Sequence, residues 1–220
     1  MSFTEKIAIS IGRKASLTLK INNDDEKIII YGAIGLLQIL WSILWTIAIG
    51  MIFGVVYEAL LFSAFVSALK RYSGGAHASS PGRCTIIGVT ISIIFGFIIK
   101  VLLTTQNIFV LVVLGLSCIF ISLCIVIKLA PVDSVSKPIT NIIMRQRLKR
   151  NSEMLILFYT FIMVITLFTF RTSSEIYLLK VFKCISLGTL WQSVTLTKHG
   201  IKILNKVDLF LNFKINKGGN

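Results

Sequence analysis

From Ile28 to Leu69 the chain runs for some forty residues with Glu58 as its single charge. No other feature constrains the fold as strongly. One membrane-crossing helix needs about 20 apolar residues, so the run holds two, and its lack of apolar–polar alternation argues against a membrane β-barrel. We expect helices over 28–49 and 51–69 with a turn near Gly50 to Gly54. Further apolar runs place spans at 85–103, 108–129, 154–170 and 176–196; the last is the weakest because Lys180 and Lys183 interrupt it. Composition agrees: 55% of residues are hydrophobic, 15% are charged, and mean hydropathy is +0.85. A water-soluble domain of this length cannot hide that much apolar side chain in one core. A soluble enzyme, a disordered chain and a collagen-like fibre are thereby excluded. The sequence reads as an all-α polytopic helical membrane protein of about six hydrophobic segments. Residues 1–220 are taken as a single membrane-embedded domain, and four full spans with the weaker segments lying shallow are the main alternative.

Ahead of the first span, residues 1–27 form an amphipathic segment. Lys6, Arg13 and Lys20 recur every seven residues on one helical face, with Phe3, Ile7, Ile11, Ala15 and Leu19 roughly opposite. A helix lying in the membrane interface is expected. Charges throughout this segment argue against a cleavable signal peptide. Asn22-Asn23-Asp24-Asp25 then supplies caps for the next helix.

The formal net charge is +14. With the N-terminus inside, 19 of the 23 basic residues fall on the inner side. They lie in the N-terminal segment, the loop at 70–83, the loop from 128 to 150 and the tail at 197–220. This bias predicts a multi-pass protein with both termini cytoplasmic. The basic face suits anionic lipid and gives no reason to expect nucleic acid. Glu58, costly when unpaired inside the bilayer, is expected to pair with Lys180 or Lys183 and link the second and sixth spans. Trp41 and Trp45, four apart, read as packing or interface anchors.

The loop at 70–84 carries the chemistry. It reads Lys70-Arg71-Tyr72-Ser73-Gly74-Gly75-Ala76-His77-Ala78-Ser79-Ser80-Pro81-Gly82-Arg83-Cys84 and contains one of two histidines in the chain. Gly74-Gly75 and Pro81-Gly82 allow sharp turns on both sides of His77. A turn brings the imidazole within reach of the Cys84 sulfur. A free thiol has a pKa of about 8.5, and it is the thiolate that attacks. A neighbouring imidazole can take the proton, and Lys70, Arg71 and Arg83 add charge of the sign that favours an anion. If Cys84 begins the third span, the positive end of a helix faces its sulfur. Taken alone, the spacing fits an inert cysteine beside a solvated histidine better; the Gly-rich, basic, turn-forming context brings the two readings level. No cofactor is indicated, and two ligands without an acid are too few for a metal site.

The run Arg71-Tyr72-Ser73-Gly74-Gly75-Ala76-His77-Ala78 followed by Cys84 resembles the signature of the accessory gene regulator B family. These are membrane cysteine endopeptidases of Gram-positive bacteria that process quorum-sensing propeptides. Ala130-Pro131-Val132-Asp133-Ser134 with Lys137-Pro138, in the basic loop at 130–153, resembles a second family segment. The resemblance implies His77 as general base and Cys84 as nucleophile, in the cell membrane. It also implies cleavage of the propeptide's C-terminal tail through a Cys84 thioester and cyclisation to a thiolactone or lactone. The third residue that orients the imidazole is left open among Ser79, Ser80 and Asp133; Arg71, Gly74 and Gly75 are expected to support the loop. Propeptides of the family carry an amphipathic N-terminal helix and an acidic tail. Arg145, Arg147, Lys149 and Arg150 suit such a tail by charge, though topology and lipid account for them equally well. The family also implies a homodimer. Two other classes fit the residues: a small membrane transporter or exporter of the peptide, and a basic-faced membrane scaffold. Substitution of His77 or Cys84 abolishes processing only in the first class.

Overall fold

A computed structural model describes residues 3–76, 78–102, 107–133, 140–173 and 175–217. His77, Thr104 to Gln106 and the Ser134, Lys137 and Pro138 part of the second segment lie outside them. Eight α-helices follow one another along the described residues: α1 (Phe3–Leu19), α2 (Asn23–Phe53), α3 (Val56–Ser73), α4 (Pro81–Phe97), α5 (Ile108–Leu129), α6 (Ile142–Ser173), α7 (Ile176–Val194) and α8 (Lys198–Lys217). Ile98–Leu102 continues α4 as a π-helical turn. The chain is an all-α membrane protein.

Local chemistry sets the helix ends. The Asn22 side chain caps α2, accepting from the Asp24 and Asp25 amides at 3.0 and 2.8 Å. Gly54 closes the same helix in the left-handed conformation, φ 62°, and α3 begins two residues on. That divides the long apolar run at the expected turn. Asn107 caps α5 through the Phe109 and Val110 amides.

Among the described residues, four helices are long and apolar enough to cross a membrane: α2, α4 with its π turn, α5 and α6. Their large apolar side chains point outward. Leu36, Leu40, Phe120, Phe161 and Phe168 are all more than half exposed. In a chain with this hydropathy, that exposure is a lipid-facing surface. The remaining two of the six expected segments, α3 and α7, are the less apolar ones, and they pack against each other at the centre. Leu69 of α3 and Leu179, Phe182 and Ile185 of α7 join Ile119 and Val126 of α5 and Ile156, Tyr159 and Met163 of α6 in one buried cluster. Because neighbouring helices shield them, α3 and α7 tolerate the polar groups that weakened their signal in the sequence. Thr189, Gln192 and Ser193 of α7 are at most 1% exposed. The Glu58 carboxylate meets Lys180 Nζ at 2.8 Å, so the expected link between these two helices is made by Lys180.

Three expectations need correction. The loop at 70–84 is shorter, because α3 continues through Lys70, Arg71 and Ser73. The loop at 130–153 turns helical at Ile142, where Asn141 caps α6 through the Ile143 and Met144 amides. Arg145, Arg147, Lys149 and Arg150 therefore stand on the opening turns of α6. Hydropathy misses this start because the helix formers there are polar. The basic tail at 197–220 is α8, an amphipathic helix over most of its length. Helix α1 packs on α2 with Ala8 and Gly12 buried, while Lys6, Arg13 and Lys14 of its basic face stay exposed; this agrees with an interfacial helix.

Candidate active site

The site is built where α3 ends. Ser73, the last residue of that helix, is buried and donates its hydroxyl to the Leu69 carbonyl at 2.9 Å. Gly74 follows with φ 71° and Gly75 with φ 122°. Both conformations suit glycine. At Gly74 the reason is also steric: a Cβ there would sit 2.2 Å from the Val132 carbonyl oxygen. That oxygen accepts from the Gly75 amide at 3.2 Å, and the Val132 amide donates to the Ser73 carbonyl at 2.9 Å, an isolated parallel bridge. The two sequence segments singled out, one after α3 and one after α5, are thus joined backbone to backbone. Pro131 beside the bridge is fully buried. From α7, Gln192 Nε2 donates to Ser73 Oγ at 3.0 Å and to the Gly74 carbonyl at 2.9 Å. Lys70 Nζ reaches forward to the Ala76 carbonyl at 3.0 Å.

The far side of the loop is a helix start. Ser80 is the N-cap of α4, its hydroxyl accepting from the Arg83 amide, with Pro81 at the first helical position. Cys84 lies in that first turn and its amide donates to the Ser80 carbonyl at 3.1 Å. Its thiol is free and half-buried. The sulfur therefore stands near the positive end of α4, as expected. Cys84 also lines a cavity of about 760 Å³ between α2, α3, α4, α7 and α8. Lys70, Arg71, Ala76, Gln38 and Gln192 share the walls. Two cationic side chains, two amides and a half-buried thiol converge on a largely apolar chamber, the arrangement expected of a small-ligand or peptide site. A second cavity of about 540 Å³ lies between α1, α2 and α4; Trp41, Trp45 and Val89 line it, and no ionisable residue does.

The structure brings some of the expected residues together and leaves others apart. Cys84, Arg71, Gly74 and Gly75 come together around the bridge and the cavity. Ser79 and Ser80 serve the backbone and Arg83, as described below. Asp133 is paired with Arg145, Arg145 Nη1 to Asp133 Oδ2 at 3.8 Å, both side chains at the surface. Arg145, Arg147, Lys149 and Arg150 do not line the cavity. Gln192 bonds across helices as an apolar-helix amide should, and its position on the Gly74 carbonyl makes it part of the site. Asp208 was missed entirely. It is 8% exposed, and its carboxylate meets Arg83 Nε at 3.3 Å.

Fold and site define a polytopic helical membrane protein with a cysteine in the wall of an interhelical chamber. Residues 4–196 match the accessory gene regulator B family, AgrB, and the chain belongs to that family. Membership implies involvement in accessory gene regulator autoinducer processing. Two AgrB-like proteins of Clostridium perfringens are similar along almost their whole length. The one from strain SM101 is 35% identical and the one from strain 13, AgrB-like protein 2, is 37% identical; each alignment covers 94% of this chain and 98% of the relative. No solved structure is significantly similar.

Proposed function

We propose that this chain is a cysteine endopeptidase of a Gram-positive cell membrane that removes the C-terminal tail of a quorum-sensing propeptide through an acyl-enzyme on Cys84. The observation that supports this most is the position of Cys84, in the first turn of α4 and in the wall of the chamber. Peptide can reach a sulfur placed there, and apolar walls limit water.

The reaction balances with this chain's own groups. His77 takes the thiol proton. The Cys84 thiolate attacks the carbonyl carbon of the scissile peptide bond, forming a C–S bond as the C–N bond breaks. The imidazolium returns its proton to the departing amine, which leaves as the new N-terminus of the tail. A thiol or hydroxyl inside the bound peptide then attacks the thioester, closing the ring and freeing Cys84. Exchange of a thioester onto a thiol is roughly isoenergetic, whereas cleavage of an amide to a thioester is uphill. Retention of the acyl group therefore depends on excluding water, and turnover depends on drawing the tail away. The basic opening turns of α6 suit an acidic tail by charge.

Cleavage of a cognate propeptide by the full chain in lipid nanodiscs tests the reading. Cys84→Ala and His77→Ala are each expected to lower the rate at least about a thousandfold with the thermal transition retained, since nucleophile and base act as a unit. Unchanged cleavage in Cys84→Ala would overturn the role of Cys84, and no cleavage by the wild-type chain would overturn the reading and leave transport or scaffolding.

A further inference from the structure

Asp208 is the only acidic residue of α8, among five lysines between Lys198 and Lys217. An acid on an amphipathic basic helix opposes attraction to anionic headgroups, so its surroundings must compensate it. They do. Asp208 Oδ2 accepts from both the amide and the hydroxyl of Ser79, the amide at 3.2 Å. Its Oδ1 faces Arg83 Nε at 3.3 Å, with both side chains 12% exposed. Arg83 in turn donates from Nη2 to Ser79 Oγ at 2.8 Å and from Nε to Ser80 Oγ at 3.1 Å. Carboxylate, hydroxyl and guanidinium close a ring. One turn before Asp208, Leu204 supplies part of the chamber wall that Cys84 also lines. The clasp holds position 79, two residues after His77, and position 83, immediately before Cys84. The match to the family ends at residue 196, ahead of α8.

We infer that Asp208 is a positioning residue for the Cys84 chemistry: from α8 it fixes the Ser79–Arg83 turn from which Cys84 enters the chamber. The inference rests on the peptidase reading for its role in turnover. It predicts that α8 belongs to the active site and is more than a membrane tether. A charge pair this buried is sensitive to loss of one partner, because the other is left uncompensated.

The test uses the full chain in nanodiscs with the propeptide. Asp208→Asn is expected to lower kcat about 10- to 100-fold and to change KM by less than about twofold. Asp208→Glu is expected to recover a measurable part of kcat, and Arg83→Gln to resemble Asp208→Asn. The double variant should lose no more than the worse single one, because both remove the same ring. Ser79→Ala, which deletes one hydroxyl, is expected to fold and to lose about 3- to 10-fold. A second readout needs no turnover: alkylation of Cys84 by iodoacetamide, followed at that peptide by mass spectrometry, should change at least about threefold in Asp208→Asn. Wild-type kcat and wild-type alkylation in Asp208→Asn, or losses that multiply in the double variant, would overturn the inference. Should Cys84→Ala still process the propeptide, the peptidase reading fails, and an unaltered alkylation rate in Asp208→Asn would then overturn the clasp separately.

Discussion

Gly74 shows how much of this site depends on single residues. The chain passes the Val132 carbonyl so closely that no side chain fits, and it does so at a positive φ. Gly74→Ala is expected to break the bridge between the two sequence segments. A strain of about 1–3 kcal/mol follows from the backbone alone. We expect a lower thermal transition and at least about tenfold slower processing, read by a melt and a cleavage assay on the same nanodisc preparation. Gln192 acts on the same turn from the other side. Gln192→Leu removes the donor from the Gly74 carbonyl, at a cost of about 1–3 kcal/mol for an unsatisfied acceptor, while the Ser73 hydroxyl keeps its bond to the Leu69 carbonyl; its melt should fall further than that of a lipid-facing control such as Phe120→Leu. The glycine pair and Cys84 stand out in the sequence because rare, chemically distinctive residues sit within one short stretch, whereas the expected place of His77 lies outside the described residues. Asp208 does not stand out. Its partners lie 125 and 129 positions away, and nothing local distinguishes an aspartate that clasps a loop from one that faces water.

The division of labour among helices follows from their polarity. The four most apolar ones face lipid, while α3 and α7, which carry Glu58, Lys180, Gln192 and a row of hydroxyls, lie between them. Serine and threonine hydroxyls there return to the carbonyl one turn back, as Ser186 does to Phe182 and Thr189 to Ile185, so they leave no unmet donor in an apolar setting. The Glu58–Lys180 pair ties the two central helices. Lys180→Met should destabilise the fold by about 2–3 kcal/mol, somewhat below a fully buried pair because the lysine side chain is 35% exposed. Adding Glu58→Gln should restore part of that loss, since no carboxylate is then left unpaired; a double variant less stable than the single one would contradict the pairing. The sequence located the apolar helices well, because hydropathy reports lipid exposure directly. It misplaced the start of α6 and read α8 as a tail, because helices built from polar residues at the membrane surface leave no hydropathy signal.

For the whole molecule, the central claim is that three separate stretches of chain assemble one catalytic chamber. In the proposed reading the loop after α3 supplies the chemistry; the segment after α5 bridges to that loop, and α7 and α8 hydrogen-bond to it. The bias of basic residues predicts that all of these lie on one membrane side, the cytoplasmic one. A membrane-impermeant maleimide should therefore label Lys202→Cys only from the cytoplasm and Thr172→Cys only from outside, in variants that keep Cys84 masked. The most direct test of the central claim is the intact mass of the protein after incubation with its propeptide. We predict an adduct on Cys84 equal to the propeptide without its C-terminal tail, removed by hydroxylamine and absent from Cys84→Ala. Tail release with no such adduct in either wild type or Cys84→Ser, or an adduct that persists in Cys84→Ala, would contradict it.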